Sequence, residues 1–449
     1  MKNFATFLTT LCLTLWTHAA HSQACLPNGI TFTTQGQIDS FPINYPGCTE
    51  IGGGVTICSD SVGPITDLHG LYGITLIGKS LILKHNDQLA DLSGLSNLTT
   101  IGSLQIFDNQ SLQNLDGLSN ITSLGNLYLS DNPALTDLDA LSKITFIPFS
   151  ISLTHNASLL NLDGLSNVTA IGGSLYIVNN DALTDLSGLS ELTSLGGDLI
   201  IEDNLLLNNL DALANLTSIG KSVWIHGNDA LTNLDGLANL SSVKRSLYIS
   251  GNDALMDLSG LSNISSVGGM LIIRFNHSLT NLDGLSNISS IGWELVIARN
   301  KALTNLNGLS NLSSVGSFLE IKNNDSLTNC CGIRHLLETP GAIGGYISIY
   351  DNPSECSNKD EILAADCMVA AHHPAPRLPI SITPNPARDV IYLSAGHRPI
   401  TRAWIYNSLG VMIRAQKGAR VDIHDLPRGS YLIKVQAGEE TGLAKLVKL

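Results

Sequence analysis

Aromatic and charged side chains are scarce in this chain, at 5% and 14% of 449 residues, whereas Leu, Asn, Ser and Gly are over-used. Such a bias is typical of a repeated structural unit rather than of an individually shaped pocket. The formal net charge is −14, although residues 377–449 carry 11 of the 24 Lys and Arg against only 5 Asp and Glu. The acidic remainder argues against nucleic acid as a partner, because phosphates demand clustered Lys and Arg.

Long apolar runs are absent beyond the first residues. Residues 1–22 are predicted to form a secretory signal peptide, with an apolar stretch over residues 4–16 and a small-x-small cleavage site at residues 20–22. The stretch is too short to span a bilayer, so no transmembrane segment is expected. Cys25 could mark a lipoprotein, but the residues before it are a poor lipobox. The sequence therefore predicts export.

Cysteines are absent between Cys58 and Cys330. The seven that follow the signal peptide lie at the two ends of this gap: Cys25, Cys48, Cys58, Cys330, Cys331, Cys356 and Cys367. Export makes disulfides plausible, so we expect cross-linked caps at residues 23–62 and 330–368. The pairing stays open, with Cys58 or one of the adjacent pair Cys330 and Cys331 as the odd thiol. No paired CxxC motif accompanies a histidine, so no metal site is predicted.

Between the caps, residues 63–329 contain a repeat. An asparagine recurs at intervals of 23 or 24 residues and finally 28: Asn86, Asn109, Asn132, Asn156, Asn180, Asn204, Asn228, Asn252, Asn276, Asn300, Asn324 and Asn352. One copy places apolar residues at Leu183, Leu186, Leu189, Leu192, Leu195, Leu199 and Ile201. This spacing does not fit a sustained helix, and the Leu-x-Ile before each Asn predicts a short strand. We expect the Asn amides to pair with backbone groups of adjacent coils.

These units resemble leucine-rich repeats of the receptor L-domain type, most specifically in the Leu-x-Gly-Leu-(Ser/Ala)-Asn continuation seen over residues 282–288. The resemblance covers residues 63–367. It implies an all-β fold, a right-handed leucine-rich β-solenoid of stacked ~24-residue coils. A short helical stretch at residues 333–338 is expected within the C-terminal cap. Receptor relatives bind protein ligands, but no ligand-contact motif can be transferred to this chain.

Outward strand positions form two rows on the expected sheet. One row carries Tyr128, Tyr176, Trp224 and Tyr248, which we take as candidate ligand-binding residues that could stack on sugars or anchor a protein. The alternative is ordinary β-propensity on an exposed strand. The second row is chemically irregular and lacks the regular Thr ladder expected of an ice-binding solenoid.

Catalytic and cofactor sites are not predicted. No nucleophile has a convincing base, and no glycine loop for phosphate is present. Asp residues recur at one repeat offset, but Ser and Asn interrupt the row, and a calcium cage needs more oxygen ligands. We therefore expect a protein that is not an enzyme and has no cofactor.

The composition changes after Cys367. Residues 369–379 read as an extended linker, and residues 380–449 as a small β-sandwich of short strands. Blocks around Pro384-Asn385-Pro386, Gly410, Gly429 and Tyr431 resemble the type A sorting domain of the type IX secretion system of Bacteroidetes. The resemblance implies the secretion machinery as a partner and a location outside the cell, secreted or on the outer surface. The alternative is an adhesive sandwich that stays attached.

Together these features predict an exported protein that binds an extracellular glycan or protein through the outward face of its solenoid. The alternative is a passive spacer rod of the cell surface with no specific ligand.

Overall fold

The computed structural model describes residues 24–59, 63–365, 367, 380–385, 387–395, 398–406, 412–438 and 440–448. The predicted signal peptide and linker lie outside these residues, as do Pro386 and Gly410 of the predicted sorting motif. The chain divides into two compact units, Met1–Ala365 and Asp366–Leu449. Within the described part of the chain, no helix is both long and apolar enough to cross a membrane.

The first unit is built on one long parallel sheet. Its strands follow the order of the chain: Ile30–Phe32, Val55–Cys58, Leu76–Lys84, Thr100–Phe107, Leu127–Ser130, Ile151–Thr154, Leu175–Val178, Leu199–Glu202, Val223–His226, Leu247–Ser250, Leu271–Arg274, Leu295–Ala298, Leu319–Lys322 and Ile347–Tyr350, with Glu50–Ile51 and Ser123–Leu124 beside this path. Neighbouring strands pair in register, for example Leu199 with Val223. The predicted β-solenoid is confirmed.

Two smaller parallel sheets run along the coils, where a second short strand precedes the main one. They comprise Phe146–Ile147, Ala170–Ile171, Ser194–Leu195 and Ser218–Ile219, and then Ser266–Val267, Ser290–Ile291 and Ser314–Val315. Each of these strands is only two residues long, because a glycine or another turn residue follows it directly. In each coil the short strand therefore comes just before the strand of the main sheet.

Each coil also contains a short 3₁₀ helix, which was not predicted from the sequence. These helices are His69–Leu71, Ser93–Leu95, Asp116–Leu118, Asp139–Leu141, Asp163–Leu165, Ser187–Leu189, Asp211–Asn215, Asp235–Leu237, Ser259–Leu261, Asp283–Leu285, Asn307–Leu309 and Cys331–Ile333. A 3₁₀ helix has three residues per turn, which explains why buried leucines such as Leu186 and Leu189 recur every third residue. Asp185 starts one such turn, because its Oδ1 accepts the Ser187 N–H at 2.9 Å.

The described α-helices of the first unit lie in the regions predicted as caps. They are Gln35–Asp39 and Phe41–Asn44 at one end, and Arg334–Glu338 and Lys359–Ala364 at the other. The helical stretch expected at residues 333–338 is therefore confirmed. The core of this unit is one continuous apolar cluster from Phe32 to Ile362.

The recurring asparagines form a buried ladder, with Asn86 to Asn324 fully shielded from solvent. Asn204 shows the pattern: its Nδ2 donates to the carbonyls of Ile177 at 2.9 Å and Glu202 at 3.0 Å. Its Oδ1 accepts the backbone N–H of Asn180 at 3.0 Å. The residue before each asparagine has a left-handed backbone, as at Asp203 with φ 52°. The side chain thus satisfies the polar backbone groups that this sharp turn buries.

Disulfides close both ends of the solenoid. Cys25 pairs with Cys48, and Cys330 pairs with Cys356. Cys331 and Cys367 are also disulfide-bonded. Among the described cysteines only Cys58 is free, so it is the odd thiol that the count predicted.

Alkylation of the unreduced, denatured protein is therefore expected to label Cys58 and none of the six disulfide cysteines. Peptide mapping by mass spectrometry checks this result, with the reduced protein as the control in which all of them react. A label on Cys330 or Cys331 before reduction would contradict the pairing.

The second unit contains two antiparallel sheets. One comprises Ser381–Thr383, Val390–Ser394 and Arg420–Asp422, and the other Met412–Lys417, Arg402–Tyr406, Gly429–Ala437 and Glu440–Lys448. Ile391 and Val421 of the first sheet share one apolar cluster with Ile405 and Ile433 of the second. Two sheets around one core form the small sandwich that the strand pattern indicates.

Candidate functional site

The predicted outward row exists as a ladder of directly paired residues on the main sheet. Trp224 and Tyr248 are partners on adjacent strands. Tyr176 is separated from Trp224 by Ile200, and Tyr128 from Tyr176 by a serine. The structure therefore brings together only two of the four candidate aromatic residues. Tyr128 is paired with Gln105 and Ser152 on the adjacent strands, and its hydroxyl donates to Asn126 Oδ1 at 3.2 Å.

The Trp224 and Tyr248 rings stack on each other. Their centroids are 4.8 Å apart and their planes differ by 21°. This separation matches the spacing of neighbouring strands, about 4.8 Å, because each ring stands up from its own strand. Each ring therefore covers one face of the other, and Trp224 remains 37% exposed.

Arginine side chains extend this aromatic pair. Arg274 donates from Nε to the Tyr248 hydroxyl at 3.0 Å and also from Nη2. Its guanidinium carbon lies 5.1 Å from the centre of the Tyr248 ring. The Arg299 guanidinium lies 5.0 Å from the centre of the Phe275 ring, within the range of a cation–π contact. We call Trp224, Tyr248, Arg274, Phe275 and Arg299 the aromatic–arginine patch.

The position before each ladder asparagine contributes directly to this patch. Phe275 and Arg299 occupy it in successive coils, each with φ 58°. At this position Phe275 is half-buried and Arg299 is exposed. Neither residue lies on an outward strand row, so neither was predicted as a candidate from the sequence. Reading the same offset in every coil would have found them.

Beside the patch, three potential metal ligands lie close together, a grouping that was not predicted from the sequence. Glu202, Asp203 and His226 place one ligand atom each within 4.8 Å of one another, and all three are half-buried. Glu202 and His226 are paired on adjacent strands. The prediction that no metal site is present was based on cysteine motifs and on an aspartate row at another offset of the repeat. Glu202, Asp203 and His226 belong to neither, so the prediction did not include this cluster.

A second aromatic group, in which Phe318 is half-buried and Tyr346 is exposed, was also not predicted from the sequence. Phe318 and Tyr346 stack with centroids 4.7 Å apart and planes 9° apart. Trp293, in the turn before its strand, is 63% exposed. All three lie just before strands of the main sheet, where the pattern of strand residues gives no signal.

In the second unit, Asn385 joins the predicted sorting motif to the last described strand. Its Nδ2 donates to the Lys445 carbonyl at 2.8 Å, and its Oδ1 accepts the Val447 N–H at 2.8 Å. Tyr431 lies on a central strand and donates from its hydroxyl to the Pro427 carbonyl at 2.7 Å. Pro384 immediately precedes Asn385, and Gly429 begins the strand of Tyr431 with φ 151°.

Two family models match separate parts of the chain. Residues 47–146 match the Receptor L domain, and residues 381–449 match the Secretion system C-terminal sorting domain. The chain carries a receptor L domain and a type IX secretion sorting domain. No curated protein matches the chain.

The sorting domain establishes export to the outer cell surface or secretion, and it makes the secretion machinery a partner. The Receptor L domain match ends at residue 146. The same in-register pairing nevertheless continues to Tyr350, so the repeat scaffold extends well beyond the matched residues.

Proposed function

We propose that the exported solenoid binds an extracellular protein through the aromatic–arginine patch. The observation that carries this proposal is that Trp224 stacks on Tyr248, whose hydroxyl in turn accepts a hydrogen bond from Arg274. Trp, Tyr and Arg dominate the binding energy of protein interfaces. Here they are held by a rigid in-register sheet and by each other, so binding sacrifices little side-chain entropy.

The orientation of the rings favours a protein over a glycan. A sugar ring stacks on an exposed aromatic face, but Trp224 and Tyr248 each cover one face of the other. The Tyr248 hydroxyl already accepts hydrogen bonds from Arg274, which leaves it less available to sugar hydroxyls. Stacked rings beside guanidinium groups suit the mixed apolar and polar surface of a protein partner.

Binding tests the proposal directly. The full chain, labelled, is applied to arrays of extracellular proteins and of glycans, and saturable signals are titrated. Trp224→Ala is expected to weaken protein binding by about 30-fold, the loss typical of a hot-spot side chain. Unchanged far-ultraviolet circular dichroism would show that the coil is intact.

Tyr128→Ala is the matched control, because Tyr128 lies on the same outward row but outside the patch. It should leave the affinity unchanged. Equal losses in both variants would reject the patch as the binding site. Saturable binding to a glycan alone would assign the face to sugars, and no saturable ligand on either array would favour a spacer rod.

A further inference from the structure

The cluster of Glu202, Asp203 and His226 has a geometry that two glycines make possible. Gly227 and Gly251 occupy the left-handed position before the ladder asparagine, with φ 66° at both. A Cβ on Gly227 would lie 1.9 Å from Asp203 Oδ1. The Asp203 carboxylate therefore occupies the space that a side chain on the next coil would fill.

The imidazole of His226 is positioned in a similar way. A Cβ on Gly251 would lie 3.3 Å from both Nδ1 and Cε1 of His226, tighter than most such contacts. His226 Nδ1 lies 3.0 Å from the carbonyl oxygen of Ser250. A carbonyl can only accept, so Nδ1 carries the hydrogen and Nε2 keeps its lone pair free for a ligand. Metal-binding histidines are commonly oriented by such a hydrogen bond to a backbone carbonyl.

The surrounding charge is negative and incompletely balanced. Among the described residues, the side-chain carboxylates of Glu202 and Asp203 neither accept a hydrogen bond nor form a salt bridge. Burial and then the charges of Asp253 and Asp203 raise the pKa of Asp229 above its ordinary value. The nearby His277 is paired with Asp253 at 2.7 Å. A bound cation would offset this accumulation of carboxylates.

We propose that Glu202, Asp203 and His226 bind one divalent transition-metal ion of the Zn²⁺ class. An imidazole with two carboxylates suits Zn²⁺ better than Ca²⁺, which takes six to eight oxygen ligands. Three protein ligands leave at least one coordination position for water or an external ligand. This metal site is independent of the proposed protein-binding function, since neither requires the other.

Zinc titration of the full chain by calorimetry tests the site. The unsubstituted protein is expected to bind one more Zn²⁺ than His226→Gln or Asp203→Asn. His155→Gln is the matched control, because His155 also faces an aspartate, Asp131, at 4.0 Å but belongs to no such three-ligand group within the described part of the chain. It should bind as many ions as the unsubstituted protein.

Gly227→Asn separates positioning from folding. Asn179 and Asn323 occupy the same offset in other coils with φ 54° and 55°, so the backbone accepts asparagine there. The new side chain would displace the Asp203 carboxylate, and we expect zinc affinity to fall about 10- to 100-fold, as when an orienting group is lost. Circular dichroism should be unchanged.

Three results would overturn the proposal. They are no zinc uptake by the unsubstituted protein, equal uptake by the His226→Gln and His155→Gln variants, and full affinity in Gly227→Asn. Background binding by Cys58 or by the histidines of residues 369–379 is the same in all variants, so the difference between variants isolates the cluster.

Discussion

Asn204→Ala is expected to lower the free energy of unfolding by about 3 kcal/mol or more, because it leaves several buried polar groups without partners at ~1–3 kcal/mol each. The Ile177 carbonyl loses the donor at 2.9 Å, and the Asn180 N–H loses its acceptor at 3.0 Å. Water cannot replace either hydrogen bond, because the asparagine ladder is fully buried. Chemical denaturation followed by circular dichroism measures the effect.

Asn215→Ala is the matched control in the same coil. Asn215 is exposed, and its Nδ2 donates to the Ser190 carbonyl of the preceding coil at 2.8 Å. Water can replace that bond, so the expected loss is about 1 kcal/mol or less. Similar losses for Asn204→Ala and Asn215→Ala would show that the ladder is not a principal source of stability.

The period of the sequence was sufficient to predict the sheet and its rows. Trp224 and Tyr248 are 24 residues apart at the same strand offset, and parallel strands in register place such residues side by side. Their mutual stacking follows from the strand spacing. The same argument separates Tyr128 and Tyr176, because an intervening coil carries Ser152 at that offset.

Contacts that cross between offsets could not be read from the period. Arg274 lies on the second outward row, two residues after the row of Tyr248, where it pairs with Ser250 of the adjacent strand. Its long side chain reaches diagonally to Tyr248, 26 residues away. The cluster around His226 depends on the absence of a side chain at Gly227. A repeat pattern predicts which position of the coil a residue occupies. It does not predict where a long side chain points, or how much space a small residue on the next coil leaves.

Local helix type and disulfide pairing needed the structure for a different reason. Leucines spaced by three fit both tight turns and 3₁₀ helices until the backbone hydrogen bonds are known. The pairing of Cys330 with Cys356, rather than of the adjacent Cys331, depends on which Cα atoms come close, here 5.7 Å.

Removal of residues 380–449 is expected to abolish display of the protein outside the cell while leaving the solenoid folded. The matched sorting domain directs export, and its core is a separate apolar cluster from that of the solenoid. Cell fractionation and protease treatment of intact cells measure the location. Trp224→Ala in the full chain is the control and should be exported normally.

Asn385→Ala tests whether the fold of the sorting motif matters in addition to its presence. The substitution removes both bonds to the last described strand, at Lys445 and Val447, and changes no residue of the solenoid. Those bonds hold the motif against the strand, so we expect a smaller exported fraction than in the unsubstituted protein, though not the complete loss caused by truncation. Truncated protein that still reached the cell surface would show that another segment directs export. If Asn385→Ala were exported as fully as the unsubstituted protein, the export signal would not depend on the hydrogen bonds of Asn385 to Lys445 and Val447.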